Sequence, residues 1–445
     1  MLKQALSASI IATIIVACFW VYENYAPLPQ ASQNYKTPIL SDSYLDDDIE
    51  YLNDARRASK LPTFSFSSIL QNAAKNHALY LNEREIISHD ENPQSPLFTG
   101  IDPAARALKA GYNNSYVVEN LSSKQLSLKD SLDGLLSAIY HRFNFLNFNF
   151  DELGYFVHND IYAYEIGNKQ ISKLCLNNAT ITSGTYIINL CKNKDIKIPK
   201  DDFDEATKPY NPNFIVFPNE HFASVAIFGK EDPDPLPHCD ITSAPVSIEF
   251  NENLGEIKLK SFELFKDGKK LENTLLLHAK NDPNHKFNDR QFALFSLKPF
   301  EFGAQYSAKV VYENAKNTKS LQWGFLTKTP KYEYFSVDDG DIIHISPLKY
   351  YEIYFKPNDC KDALNEYTYI KQSGTKLDIA QSAPNTLRIK ARGKRGDVIE
   401  LKMNDTKSIK IVLNNSSTAR DYSSLAGLWA ILSAASFLFL MQRKR

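Results

Sequence analysis

Between Ser41 and Ala58 the apolar residues Leu45, Ile49, Leu52 and Ala55 return at helical steps, which predicts an amphipathic helix with Asp42 or Ser43 as its cap. A second helical stripe, Ile69, Leu70, Ala73, Ala74, His77, Ala78 and Leu81, predicts a helix ending near Arg84. The third is "SLKDSLDGLLSAIYHRF", where Leu128, Leu132, Leu135, Leu136, Ile139 and Phe143 share one face and His141 points the other way. The pattern then changes to strand-like pieces: "LGYFVHNDIYAYEIG", "QISKLC" and "TYIINLC". Helices followed by strands predict an α+β or three-layer domain that runs from residue 42 to about 228. Past "GKEDPDPLPHCD" (Gly229 to Asp240), whose prolines and acids read as a hinge, helical periodicity stops. Alternating runs such as "VSIEF", "QFALFSL", "YSAKVVY" and "LQWGFLT" predict a β-sandwich over residues 240–329, and a second β-rich domain follows over 330–416. The two share a faint repeat, in which an alternating strand leads to a turn glycine (Gly268 or Gly374) and then Lys-Leu-acid.

The ends differ from everything between them. Residues Gln4 to Tyr22 carry no charge, and Leu425 to Met441 ("LAGLWAILSAASFLFLM") are apolar up to the basic tail Arg443-Lys444-Arg445. Both lengths suit a membrane helix, so the pattern predicts an N-terminal anchor over 1–23, a spacer over 24–41, and a transmembrane helix over 422–442. The Ile15-Val16-Ala17-Cys18 stretch resembles a lipobox, but Phe19, Trp20 and Val21 prolong the apolar run. Basic residues at both ends place the bulk of the chain on the extracytoplasmic side, in the periplasm or at the cell surface. Four of the 51 basic residues (Lys3 and the terminal triplet) lie in the tails, which leaves 47 against 52 acidic ones in between. A mildly acidic outer part argues against nucleic acid as a partner.

Cys18 aside, four cysteines remain, and they allow three pairings. Cys175 and Cys191 end two strand-like runs separated by turn residues, so a bridge between them is one expectation. No G-x-S-x-G elbow, phosphate-cradling glycine loop, dinucleotide fingerprint or CxxC knuckle is present, and no serine or cysteine stands out as a nucleophile.

One set of landmarks is more specific. Leu52-Asn53 with Arg56, Leu61-Pro62, Ala74 with His77-Ala78, Ser88-His89, Arg106 with Gly111-Tyr112, Glu119-Asn120, His141-Arg142, and Glu152 with Gly154 occur in one order over about 120 residues. In this it resembles the bacterial branch of the CAP family, also called SCP or cysteine-rich secretory/pathogenesis-related proteins. The following "PNEHFASVAIFGKEDPDPLP" and "PFEFGAQYSAKVVY…LQWGFLTKT" are similar to the Ig-like extension of many such bacterial proteins. The resemblance implies an α-β-α sandwich with a cleft where histidines and acids from distant segments converge, often around a divalent metal. Carried across, His89 takes the first histidine position, Glu119 of "VEN" the acid, and His141 of "HR" the bacterial histidine. The GHYTQ-like motif of the animal and plant branch, and the glutamate on the helix before it, are absent.

Two imidazoles and a carboxylate can hold Zn²⁺ or another divalent ion and leave a position for water; alternatively, a histidine and a glutamate can share a proton as a general base. Plainer roles stand beside these. His77 lies on an apolar face and fits a hydrogen-bonded core histidine. His141 sits near the end of its helix, where a cation suits the dipole. Glu119 can anchor a loop, and Arg106 and Arg142 suit structural ion pairs or carbonyl contacts. The expectation is therefore α+β: a CAP-type α-β-α sandwich, two β-sandwich domains and membrane helices at both ends. Its expected function is binding of a lipid, cell-wall fragment or protein in a cleft with His89, Glu119 and His141. A metal-dependent hydrolase using the same cleft, and a structural envelope protein with a vestigial one, are the alternatives.

Overall fold

The computed structural model describes residues 42–176, 184–207, 212–315, 317–404 and 406–414. Its first part is built from helices α1 (Asp42–Ala58), α2 (Ser68–Arg84), α3 (Pro103–Ala110), α4 (Leu128–Ser137) and α5 (Ile139–Phe145), and strands β1 (Ser65–Phe66), β2 (Val117–Ser123), β3 (Glu152–His158) and β4 (Ile161–Gly167). Local chemistry marks the helix starts. Ser67, Asp102 and Ser127 each accept a backbone N–H of the first turn, and Pro103 adds a pre-set φ to α3.

The sheet order is β1-β3-β4-β2, with β1 parallel to β3 and the other pairs antiparallel. Strand alternation divides its two faces. Leu153, Tyr155, Tyr162, Tyr164 and Ile166 pack with Leu52 of α1 and Leu132 and Leu136 of α4, whereas Leu121, Ile161 and Ala163 pack with Ala74, Ala78 and Leu81 of α2. The result is α-β-α layering. Helix α2 lies so close to the sheet at Gly154 that a Cβ there would collide with the backbone of Gln71 and Leu70, which is why glycine stands at this position.

Two elements differ from the sequence expectation. The helix expected through Phe143 breaks at Ala138, whose ψ of 117° is extended, so α4 and α5 are separate helices. The run "QISKLC" is not a strand: Lys169–Leu174 forms a helix, started by the Asn168 side chain accepting the Ile171 N–H. Cys175 follows it and is bonded to Cys191.

The first β-sandwich has two four-stranded sheets, one with the order 274–278, 291–296, 246–250, 214–217 and the other 269–270, 257–266, 305–314, 317–326. Its edge strand Phe214–Phe217 comes from the chain before the Gly229–Asp240 segment. The last β-domain also has two four-stranded sheets, but each contains a parallel pair: Glu333–Val337 with Tyr350–Phe355, and Ile342–Ile345 with Lys407–Leu413. The faint repeat does not survive this comparison. Gly268 turns a hairpin within one sheet, whereas Gly374 joins strands of different sheets. Similar turn chemistry serves two topologies.

The expected membrane helices are corrected. Among the described residues no helix is long and apolar enough to cross a membrane. The stretches 1–23 and 422–442, with the spacer 24–41 and Cys18, lie outside the described residues, so the membrane partner inferred from them has no support in the fold.

The three parts are fastened to one another. Arg142 of α5 is 1% exposed and donates to the carbonyls of Leu136, Phe217 and Pro245, which ties the head to the sandwich. Lys328 at the end of the sandwich pairs with Asp133 of α4 at 2.5 Å and touches Tyr51 of α1. The Gly229–Asp240 segment, expected as a hinge, is pinned at several points. Lys230 pairs with Asp240, Cys239 is bonded to Cys360 of the last domain, and Asp240 and Ile241 donate to the Cys360 carbonyl.

Candidate functional site

The site begins with a pair of facing carboxyls. Glu119 on β2 and Glu165 on β4 are direct cross-strand partners, and both side chains are sealed from solvent on the α2 side of the sheet. Two like charges so placed repel unless cations or protons intervene. Arg106 of α3 supplies one cation. Its Nη2 donates to Glu119 Oε2 at 2.7 Å, its Nε lies 3.6 Å from Glu165 Oε1, and its Nη1 donates to the His89 carbonyl at 2.8 Å. His77 of α2 is the second neighbour. Its Nδ1 meets Glu91 Oε1 at 2.8 Å and its Nε2 meets the Ser88 carbonyl at 2.9 Å. Both ring nitrogens are therefore engaged, and the ring is fixed in place. Nε2 is also 3.6 Å from Glu119 Oε1. Glu91 accepts the amides of Thr99 and Gly100, which ties down the loop between α2 and α3.

This balance sets the carboxyls apart. Burial pushes Glu119 up, but His77, His89 and Arg106 overcome it and hold the group down at about 2. Glu165 is raised well above the ordinary carboxyl range by burial and by the Glu119 charge, and its nearest cation, Arg106 Nε, stands off at 3.6 Å. Their surroundings thus favour the negative charge on Glu119 and the proton on Glu165.

His89 is the one member that reaches solvent. Its Nδ1 donates to Glu119 Oε1 at 2.8 Å while 47% of its side chain is exposed, so it caps a buried network. Glu119 lies beneath it with both oxygens engaged.

His141 does not join that group. The break at Ala138 puts it in the first turn of α5 instead of near the end of a long helix, and its Nδ1 donates to Glu231 Oε2 at 2.9 Å. Glu231 also accepts the amides of Ile139 and Tyr140, an anion capping a helix N-terminus. Burial raises its pKa, against the opposing pull of His141 and those amides. Sequence reasoning passed over Glu231, because in "GKEDPDP" it is one acid among several. Glu165 was passed over too, since a glutamate in an apolar strand carries no local sign of the carboxyl it will face.

Both histidines nevertheless line one cleft of about 990 Å³ between the head, the first sandwich and the last domain. The head contributes His89, His141, Asp130 and Asp133, the Val225–Asp232 stretch forms another wall, and Lys328, Tyr332, Glu352 and Arg388 close the far side. Among the described residues no group of three or more His, Cys, Asp or Glu is arranged to hold a metal ion.

Comparison with known proteins agrees with this architecture in its first part. Residues 49–164 match the model of the CAP family, described as the cysteine-rich secretory protein family, so the chain carries a CAP domain there. Two solved structures align with 28% of the chain. They are an extracellular protein containing an SCP domain from Bacillus anthracis str. Ames (22% identity, 40% of that chain, TM-score 0.25) and an outer surface protein from Borrelia burgdorferi (23% identity, 95% of that chain, TM-score 0.25). The chain thus spans well under half of the first and nearly all of the second. Tandem Ig domains of titin align over 39% of the chain at 10% identity, covering 89% of that chain with a TM-score of 0.16. Likeness at these scores decides nothing further. A search of the curated proteins finds no match.

Proposed function

We propose that this is an extracytoplasmic binding protein whose ligand, a cell-wall fragment, sits in the cleft between the CAP domain and the two β-domains. The observation that carries this reading is that His89 and His141, each held through Nδ1 by its own buried carboxylate, line the same cleft. A volume near 990 Å³ suits a ligand of several hundred daltons, and walls mixing apolar groups with Asp133, Glu231, Lys328 and Arg388 favour a polar fragment over a lipid tail. The disulfides Cys175–Cys191 and Cys239–Cys360 support a compartment outside the cytoplasm.

Among the described residues no set of three or more His, Cys, Asp or Glu is arranged for a metal, so a divalent ion held in the cleft by His89 and His141 would have only these imidazoles as side-chain ligands. Imidazoles that donate one nitrogen to a carboxylate are oriented as metal-ligating histidines are, so Nε2 of His89 and His141 would be the ligands, with Glu119 and Glu231 behind them. When bound, such an ion would polarise an oxygen of the ligand.

Titration calorimetry with Zn²⁺ and with soluble muropeptides, on wild type and on the double variant His89→Ala, His141→Ala, tests both parts. The expected result is that the double variant keeps its fold and loses both signals. Unchanged Zn²⁺ binding removes the metal, and unchanged muropeptide binding removes the cleft.

A further inference from the structure

The last domain presents a surface that the cleft does not account for. Its sheet of strands 333–337, 350–355, 386–392 and 376–383 turns Tyr351, Ile353, Phe355, Leu387, Ile389 and Ala391 into the core. Strand alternation puts the residues between them on the opposite face. There Tyr350 is the register partner of Lys390, Asp378 that of Lys390 across the next pair, and Lys376 that of Arg392. The Tyr350 ring is the centre of this face: Lys390 Nζ lies 4.8 Å from its centroid, the Arg388 guanidinium 5.7 Å, and the Tyr332 ring 5.2 Å.

The charges here do not cancel. Glu333 is taken by Lys349 at 2.6 Å, and Asp378, which accepts the Tyr350 hydroxyl at 3.3 Å, stands as one anion beside Lys376, Arg388 and Lys390. Glu352 is buried and accepts the Ser382 hydroxyl, so its carboxyl is turned away from solvent on this face. By contrast, among the described residues none of Lys331, Lys376 and Lys390 has a carboxylate within ion-pair distance. The sheet therefore carries unpaired cations around paired tyrosine rings, and through Lys331, Tyr332 and Arg388 it continues into the cleft.

We propose that this outward sheet face binds an acidic polysaccharide. Carboxylate-bearing sugars match both features: the flat tyrosine rings take the apolar face of a sugar ring, and the lysine and arginine heads take its charges. A nucleic acid would meet the same cations, so double-stranded DNA is the competing outcome of the test below; the paired tyrosine rings, which suit the apolar face of a sugar, are what favour the polysaccharide. The proposal goes beyond the cleft reading and stands without it, because Lys376 and Lys390 are not cleft residues.

The test uses fluorescently labelled polygalacturonate oligomers, neutral dextran and double-stranded DNA, with affinity read by anisotropy at low and high salt. Wild type is expected to bind polygalacturonate with an affinity that falls as salt rises, and not to bind dextran. The double variant Lys376→Glu, Lys390→Glu should bind polygalacturonate at least about tenfold more weakly, while His89→Ala, His141→Ala should bind it as wild type does. Lys390→Gln, a change with little structural cost on an outward face, should give a smaller loss in the same direction. Equal affinity of wild type and both lysine variants overturns the proposal, as does dextran or DNA bound as tightly as polygalacturonate. A loss in the histidine variant with the lysine variants unaffected would assign the binding to the cleft and overturn it equally.

Discussion

The two histidine–carboxylate pairs of the cleft look alike at the contact, 2.8 Å for His89–Glu119 and 2.9 Å for His141–Glu231, yet they are held differently. Glu119 belongs to one domain and is fixed within it: His77, His89 and Arg106 hold its pKa down against its burial. Glu231 comes from the connecting segment and is held by His141 and by the backbone amides of Ile139 and Tyr140, which do not overcome the burial that raises its pKa. The first pair is thus a product of the domain's own core. The second exists only while the connector is docked on α5.

The largest way to break this contrast is Arg106→Met. It strips Glu119 of its closest cation and leaves buried carboxyls facing each other, so a loss of about 3–5 kcal/mol is expected in urea unfolding. A loss under about 1 kcal/mol would mean that Arg106 does not hold the first pair. Glu231→Ala comes next. It removes a helix cap and the His141 partner together, with an expected cost of about 1–2 kcal/mol. Faster hydrogen exchange should be confined to the Ile139 and Tyr140 amides and their turn, with the β2 amides protected as before. Spread of that exchange to β2 would show that the two pairs are one unit.

The smallest effect separates the two carboxyls of the sheet by pH. Glu165 has a raised pKa, so its contribution is fully present below the unfolded value near ~4.3 and is lost as pH rises towards its folded value. Glu119 works the other way: its contribution is present above ~4.3 and is lost as pH falls towards about 2. Glu165→Gln should therefore flatten the alkaline side of the stability profile by roughly 1 kcal/mol and leave the acid side unchanged. Glu249, raised to about 8 by burial in the sandwich, stays in both proteins, so the difference between the two profiles isolates Glu165. Parallel profiles would show that Glu165 carries no proton.

Much of this was legible in the chain itself. The apolar stripes located α1, α2 and α4, and alternation located the strands of the sandwich, because those patterns follow from periodicity alone. The landmarks around His89, Glu119 and His141 pointed to a CAP domain, and the match over 49–164 agrees. The break at Ala138 was not legible, since the apolar stripe passes through it unaltered and only the docking of Glu231 at the new helix start marks it. Nor was the helix at Lys169–Leu174, a stretch too short for its pattern to tell helix from strand. The membrane helices read from the two ends find no counterpart among the described helices.

By itself, then, the sequence determined where helices and strands form and which residue types are present to do chemistry, because periodicity and capping are local properties of the chain. Which carboxyl faces which, and therefore which is favoured as the anion, was decided only by the tertiary structure. Glu119 and Glu165 are 46 residues apart in the numbering but adjacent across two strands, and His141 meets an acid 90 residues away. Charge states inside a protein follow from burial and neighbours, and the packing of distant segments is what supplies both.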